Sequence, residues 1–232
     1  MDGAIHEGTI PVLDHGFVRL DGAMASDLSV VNAARVSFAR RKDEMDEADE
    51  GLIRFLMRDR HGTPFEHNAF RFHIRSPIFV AREWMRHRVG SFNEFSMRYA
   101  KATDEFYVPA AEDVRSQVGK PGAYSFEPVA SELAEQTREE LRAVYEHAFA
   151  TYERLVEAGV ARELARSVIP VGAYTEFFWT INARSLMNFV SLRAAETAQR
   201  EIRRYAEACE TFLAERMPVT HAAFVAAGRV AP

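Results

Sequence analysis

A dense group of arginines and polar side chains in the middle of the sequence has the composition of an anion-binding site. The segment 82–98, REWMRHRVGSFNEFSMR, contains four arginines, one histidine, two glutamates, one asparagine and two serines. Guanidinium groups bind phosphates and carboxylates through paired hydrogen bonds, so this segment could hold an anionic ligand. Arg82 and Arg86 share one predicted helix face, where their charges repel unless an anion neutralises them. The alternative, surface arginines paired with Glu83 and Glu94, stays open here.

A second candidate segment, NARSLMNFVSLR at 182–193, combines polar side chains with a predicted helix. Asn182 is placed to cap this helix, and Arg184 and Asn188 are four residues apart, so their side chains can contact the same ligand. Arg193 lies on a mostly apolar stripe, where a guanidinium must find a partner or extend to solvent. The pattern favours a second ligand-binding segment, with a solvent-extended Arg193 as the alternative.

Two other function classes have weaker support in the sequence. His61, His67 and His73 could belong to a metal hydrolase, but they lack the H-x-x-x-H and H-E-x-x-H spacings, and we expect no metal. A nucleic-acid-binding module could use the arginines and phenylalanines of 71–98, although the net charge of -5 disfavours it. The motifs of serine hydrolases, P-loop proteins and dinucleotide-binding domains are absent from the sequence.

The overall composition predicts a globular cytoplasmic protein. Hydrophobic residues make up 47% of the chain and charged residues 27%, which are ordinary globular proportions. The single cysteine, Cys209, excludes a disulfide framework and a cysteine-based zinc site. No apolar run approaches the roughly 20 residues that span a bilayer, and the first residues lack the features of a secretory signal.

The elements that must position these residues follow from the hydrophobic pattern. The strict alternation in AFRFHIR predicts a strand whose buried side chains are Phe70, Phe72 and Ile74. Ser76 and Pro77 are typical of a helix start, so we expect a helix from there to His87, and Gly90 marks its exit into a loop that covers 91–94. The other predicted elements are a hairpin at 10–20, a helix from Ser26 to Phe38, a helix ending near Arg60 after a solvated charge run, a helix at 129–158, a short helix before Pro170, a strand at 174–181, and helices at 182–194 and 196–216.

The order of these elements predicts the fold class. Residues 100–128 carry many prolines and glycines and are expected to be irregular, apart from a strand around 105–108. Strands and helices are intermixed without a regular βαβ rhythm, which favours an α+β fold over a doubly wound one. We therefore expect a single domain over 1–232 in which helices flank a mixed sheet.

The segment RHRVGSFNEFSMRY resembles the signature of the flavin-dependent thymidylate synthases, in which R-H-R is followed by seven residues and a serine. The resemblance covers about residues 12–217. Further similar blocks occur in the same order: AARVSF (33–38), HGTPFEH (61–67), SPIFVAREWMRHR (76–88), FFWTINARSLMNF (177–189) and LRAAETAQREI (192–202).

The resemblance implies a homotetramer that binds FAD where subunits meet and methylates deoxyuridine monophosphate (dUMP) at uracil C5. It implies methylenetetrahydrofolate as one-carbon donor and NADPH as reductant. The positions implied to bind flavin are Ser37, His61, Thr63, Arg86, His87, Arg88, Glu94, Asn182, Arg184 and Asn188. The positions implied to bind nucleotide are Glu83, Trp84, Met85, Arg86, Glu94, Phe95, Ser96, Met97, Arg98, Arg166 and Arg193.

The resemblance also assigns roles to particular side chains. Arg193 is expected to activate uracil by stabilising negative charge on the ring, without a protein nucleophile. Cys209 is poorly placed for attack, and Ser96 is better interpreted as a phosphate or substrate contact. Three positions depart from the family pattern: Glu83 replaces the usual glutamine, Thr197 replaces a histidine of some relatives, and Glu176 stands where a relative has arginine.

Overall fold

A five-stranded antiparallel sheet forms the centre of the computed structural model, which describes residues 8–120 and 123–232. The prediction that no secretory signal is present depends mainly on residues 1–7 and so lies outside the described residues. The sheet has the strand order β1-β2-β3-β7-β4. Its strands are β1 (Thr9–Val12), β2 (Gly16–Met24), β3 (Ala69–Pro77), β4 (Ser91–Glu94) and β7 (Tyr174–Asn182), and a separate hairpin pairs β5 (Arg115–Lys120) with β6 (Ala123–Pro128).

Every pairing between the described strands is antiparallel, so the prediction of an α+β fold is confirmed but the expected mixed sheet is wrong. Antiparallel neighbours need no crossover helix between them, which agrees with the lack of βαβ rhythm. The helices are α1 (Asp27–Arg35), α2 (Glu47–Arg58), α3 (Thr63–Glu66), α4 (Ile78–Trp84), α5 (Ser131–Glu157), α6 (Arg162–Ala165), α7 (Ala183–Arg193), α8 (Arg200–Arg216) and α9 (Pro218–Ala226).

The central strand β3 separates the hydrophobic core from a polar sheet face, as its alternation predicts. Phe70, Phe72 and Ile74 are fully buried on the face that packs against α4, α7 and α8. Arg71 is exposed and His73 is half-buried on the opposite face. The core side of the sheet therefore supports the helices whose ends carry the candidate site residues.

The helix that carries the arginine-rich segment is shorter than predicted. Ser76 and Pro77 belong to β3, where they pair with Thr175 and Tyr174 of β7, so the helix begins at Ile78. It ends at Trp84 instead of His87. Strand pairing therefore overrides the local preference of Ser-Pro for a helix start.

Two regions expected to be irregular contain strands. Residues 91–94, predicted as a loop, form the edge strand β4, with Phe92 opposite Trp179. Residues 115–128 include the β5–β6 hairpin, whereas the strand expected at 105–108 is only an isolated bridge between Phe106 and Ala173. Both errors concern short strands. Their formation depends more on the segments they pair with than on their own composition.

The charge run at 40–51 contains a buried carboxylate and is not simply a solvated loop. Asp46 caps α2 and forms a capping box with Asp49. The Asp49 side chain is fully shielded from solvent and accepts hydrogen bonds from Arg35 and Lys42. Burial alone would raise the pKa of Asp49, but these hydrogen bonds hold it well below its ordinary value.

Candidate functional site

Three predicted site residues from distant parts of the sequence meet where α4 and α7 end. The Arg193 guanidinium donates through Nη1 to the Glu83 carboxylate, 110 residues earlier in the chain. Its Nε donates to Nε2 of His87 at 2.9 Å. Glu83 and Arg193 are half-buried, with 25% and 22% of their side chains exposed, so this group can contact a ligand.

The His87 imidazole in this group is neutral. Burial and, secondarily, the charge of Arg193 lower its pKa from 6.5 to about 4. Because Arg193 donates to Nε2, that nitrogen must be the acceptor and the ring proton must lie on Nδ1. The His87 ring packs nearly perpendicular to the Phe189 ring, with 5.0 Å between ring centroids. His87 therefore orients Arg193 without adding charge to the site.

An aromatic cluster lies beneath this group and fixes its position. The Trp84 side chain is fully buried and stacks on Phe189 at a centroid distance of 4.7 Å. The rings of Trp84 and Trp179 are nearly perpendicular, with 5.2 Å between their centroids, and Met85 packs against the same core. A substrate contact through the Trp84 side chain would require it to leave the core, so only its main chain is available to a ligand.

The loop that follows β4 presents a second group of predicted residues. The Glu94 carboxylate accepts a hydrogen bond from the Thr175 hydroxyl at 2.8 Å, and the amide of Phe95 donates to the carbonyl of Glu176. Ser96 then begins a turn, because its Oγ accepts from the amide of Arg98 at 3.3 Å. Pairing with β7 thus holds this loop in place and leaves Glu94 and Phe95 exposed.

Arg98 and Arg166 converge on one residue, although they are far apart in sequence. Arg98 Nε lies 4.0 Å from the Glu163 carboxylate, and Arg166 Nε donates to the Glu163 carbonyl at 3.4 Å. Met97 packs beside α6 on the small core formed by Ala102, Tyr152 and Ala165. The two guanidinium groups and the Ser96 turn have the donor chemistry that a phosphate requires.

Two further arginines carry charge that no carboxylate balances. Arg86 and Arg88 are exposed, and among residues 8–120 and 123–232 no carboxylate oxygen lies within 4.0 Å of their nitrogens. Arg86 and Arg88 are therefore not surface arginines paired with Glu83 or Glu94, which was the alternative left open by the sequence. Such side chains are available to an anionic ligand.

A separate cleft of about 650 Å³ collects other predicted residues. Its lining includes Ser37, His61, Thr63 and Arg184. Arg184 donates through Nη1 to Glu66 at 2.5 Å and through Nε to the main-chain oxygen of Pro232 at 2.7 Å. The cleft brings the segments 33–38 and 61–67 together with the start of α7.

The start of α7 confirms the predicted cap and exposes the expected ligand face. The Asn182 side chain accepts a hydrogen bond from the Ser185 amide at 2.8 Å. Arg184 and Asn188 are both exposed on this helix, while its Leu186 and Met187 are buried. Asn188 does not line the cleft that contains Arg184.

Comparisons with known proteins agree on one family. Residues 19–219 match the model of the family described as thymidylate synthase complementing protein. The chain is 48% identical over 217 residues to a flavin-dependent thymidylate synthase of Thermotoga neapolitana, covering 93% of this chain and 94% of that protein. It is 47% identical over 228 residues to the Streptomyces coelicolor protein of the same name, covering 93% of each.

A solved structure is similar over nearly the whole chain. The UMP/dUMP methylase PolB from Streptomyces cacaoi, bound with 5-Br dUMP, has a TM-score of 0.88 and 46% identity, and the match covers 96% of this chain and 100% of that one. The chain belongs to the flavin-dependent thymidylate synthase family. The family and enzyme class expected from the sequence blocks are therefore confirmed.

One of the three histidines considered as metal ligands belongs to the central sheet. His73 lies on the sheet, where its ring contacts the Glu176 carboxylate at 3.0 Å. Within the described ranges, no group of three His, Cys, Asp or Glu side chains could hold a metal ion. No helix among those residues is long and apolar enough to cross a membrane.

Several residues that shape the site carry no sequence signal for doing so. Thr175 positions Glu94, Glu163 contacts both Arg98 and Arg166, and Glu66 holds Arg184. Thr175 is an ordinary β-branched residue of the strand predicted at 174–181, and the two glutamates resemble ordinary surface residues. Only the pairing of distant segments identifies them.

Proposed function

We propose that this protein methylates dUMP at uracil C5 to form dTMP, with methylenetetrahydrofolate as one-carbon donor and NADPH as reductant through FAD. We infer that it does so as a homotetramer in the cytoplasm. The observation that carries the proposal is Arg193, which a neutral His87 and Glu83 hold in a half-buried group inside a family of this activity. The printed names of the relatives and of the methylase neighbour support the substrate class.

The nucleotide is proposed to bind through its phosphate to the group formed by Arg98, Arg166 and Ser96. A phosphate monoester carries close to two negative charges at neutral pH, which two guanidinium groups and a hydroxyl can satisfy. Arg86 supplies further positive charge, and Glu94 is an acceptor for sugar or base donors.

Arg193 is proposed to activate the uracil ring. C5 of uracil is a weak nucleophile, and a guanidinium beside a ring carbonyl stabilises the enolate-like form in which electron density moves to C5. Cys209, the only cysteine, is fully buried in α8, and burial raises the pKa of its thiol. Activation by charge is therefore the better account than attack by a protein thiolate.

The residues present fit an FAD molecule. Arg88 and Arg86 are exposed and have no carboxylate partners in the described part of the chain, so their guanidinium groups suit a pyrophosphate. Ser37, His61, Thr63 and Arg184 line one cleft, which offers further hydrogen-bond donors. Ser37, His61, Thr63, His87, Glu94, Asn182 and Asn188 are the other proposed contacts. When bound and reduced by NADPH, FAD would supply the hydride that completes the methyl group.

Sharing of active sites between subunits is proposed from the exposed apolar surface beside the second cleft. Val36 and Phe38 flank Ser37 and are 73% and 77% exposed. Large apolar side chains exposed next to a polar cleft are typical of a contact surface. A neighbouring subunit that covers this surface would bring its own ligand groups to the cleft.

An absorbance spectrum of the purified protein tests the proposal. We expect flavin bands, bleaching on addition of NADPH under anaerobic conditions, and formation of dTMP from dUMP when methylenetetrahydrofolate is present. UMP is the matched substrate control, because the similar solved structure is named a UMP/dUMP methylase. A colourless protein that FAD cannot reconstitute would contradict the proposal.

A further inference from the structure

The chain reverses direction after α9 and returns along α7 as residues 227–232, the return segment. Gly228 and Arg229 both have left-handed backbone conformations, with φ of 71° and 56°. Their amides donate to carbonyls in the last turn of α9, which closes that helix. An arginine is unfavourable in the left-handed region, so contacts with neighbouring elements must hold it there.

Those contacts involve both the side chain and the main chain of Arg229. Its Nε donates to Oε1 of Glu210, a largely buried carboxylate on α8, at 3.0 Å. Nε2 of His221 lies 2.9 Å from the same oxygen and carries a proton, because a carboxylate can only accept. The Arg229 carbonyl accepts from the Ser191 hydroxyl on α7. The return segment is therefore fixed to two helices at this end.

The other end of the return segment contacts Arg184, which lines the cleft of about 650 Å³. The main-chain oxygen of Pro232, a buried residue, accepts from Arg184 Nε at 2.7 Å. Arg184 and Ser191 are seven residues apart, which is two turns and about 10.5 Å along α7. The three residues after Arg229 can span about 10 Å. The return segment thus has the length that joins these two positions on one helix face.

Arg184 is held from several directions. Besides the Nε bond to Pro232, its Nη1 donates to Glu66 at 2.5 Å, and a Cβ at Gly62 would come within 2.4 Å of Nε. Nη2 makes no hydrogen bond to residues 8–120 and 123–232. A long side chain that is held before a ligand arrives loses less rotamer freedom on binding. The contacts around Arg184 therefore leave Nη2 oriented and available.

We propose that the return segment positions Arg184 for FAD, with Ser191 as the residue that fixes the segment to α7. The inference rests on the proposed function, in which Arg184 contacts FAD. Ser191 is a positioning residue, because its hydroxyl acts through the Arg229 carbonyl and the Pro232 oxygen. Loss of this hydroxyl would leave Arg184 to be ordered at the expense of FAD affinity.

The affinity of the flavin-free protein for FAD, measured by the change of flavin fluorescence on binding, tests this role. Ser191→Ala should bind FAD about three- to tenfold more weakly, which corresponds to one hydrogen bond. Ser191→Thr keeps the hydroxyl and should restore the wild-type affinity. Ser116→Ala is the matched control, since that hydroxyl also donates to a main-chain carbonyl, but in the β5–β6 hairpin. It should leave the affinity unchanged.

A double-mutant cycle shows whether Ser191 acts through Arg184. Arg184→Ala should itself weaken FAD binding, and adding Ser191→Ala to it should cause no further loss. A general structural effect of Ser191→Ala would instead weaken FAD binding by the same factor with and without Arg184.

The hydrogen exchange of the Arg184 Nε–H, followed by NMR in the flavin-free protein, gives a readout that does not depend on FAD. Exchange should be faster in Ser191→Ala than in the wild type and unchanged in Ser116→Ala. Wild-type FAD affinity in Ser191→Ala, equal losses in both backgrounds, or unchanged exchange would overturn the positioning role. A wild type that binds no FAD would contradict the proposed function, while the exchange measurement would still report on the return segment, so the two failures are distinguishable.

Discussion

The carboxylates of Asp49 and Glu83 each pair with an arginine, but their surroundings differ. Asp49 is fully shielded from solvent and accepts hydrogen bonds from Arg35, from Lys42 and from the Asp46 amide. Glu83 is 25% exposed, and Arg193 is its single partner in the described residues. A saturated group such as the first has no capacity left for a ligand, while the second keeps that capacity and is partly exposed to solvent.

These two carboxylates therefore have different roles: the one of Asp49 is structural, and the one of Glu83 is proposed to bind a ligand. Asp49 joins the end of α1 to the start of α2, and its two cations are satisfied within the protein. Glu83 instead leaves hydrogen-bonding positions that only a ligand or water can fill. We expect substitutions in the first group to change stability and substitutions in the second to change activity.

The largest expected effect is on stability, in Asp49→Ala. This change removes a buried carboxylate and leaves Arg35 and Lys42 without their shared partner, which should lower the free energy of unfolding by about 3–5 kcal/mol. Chemical denaturation monitored by circular dichroism measures this. Glu50→Gln, which breaks an exposed pair on the same helix, should cost less than about 1 kcal/mol. Equal losses of unfolding free energy in Asp49→Ala and Glu50→Gln would contradict the structural role assigned to Asp49.

The same carboxylate predicts a pH dependence. Because the folded-state pKa of Asp49 is lowered, its contribution is fully present above the unfolded-state value of about 4 and is lost as pH falls through the folded-state value. The stability difference between wild type and Asp49→Ala should therefore shrink only in strong acid.

The next largest effect is on activity, in Arg193→Ala. Loss of a donor that stabilises developing negative charge should reduce dTMP formation by about 10²–10³-fold. FAD binding and the free energy of unfolding should change little, because the guanidinium is half-buried at the end of α7. Arg203→Ala, which breaks an exposed ion pair with Glu207 on α8, is the control. Turnover by Arg193→Ala close to that of the wild type would remove the activating role.

The sequence predicted the scaffold better than the contacts within the site. The strand β3 was predictable because large apolar side chains alternate along it, and β7 because it is rich in aromatic and β-branched residues. In the sheet, Phe72 lies opposite Trp179. The edge strand β4 has four mostly polar residues, and its pairing with β7 depends on residues more than 80 positions away. The resemblance identified Glu83 and Arg193 as separate candidates, but only the fold pairs them. Long-range pairing is set by the assembled core, which a local pattern does not encode.

The smallest expected effect concerns the protonation of His87. A protonated imidazole could not accept the hydrogen bond from Arg193, so the charge state of His87 tests whether the Glu83–Arg193 pair is held as described. With a folded-state pKa of about 4, the ring should stay neutral well below the ordinary value of 6.5. Between these values the unfolded chain binds a proton that the folded chain does not, so the contribution of His87 to stability falls as pH falls from about 6.5 towards 4.

An NMR titration, assigned with His87→Gln, measures the midpoint. In Arg193→Ala the midpoint should rise but remain below 6.5, since burial is the larger cause. A wild-type midpoint at or above 6.5 would mean an imidazolium beside Arg193, and the orientation proposed for the guanidinium would then be wrong.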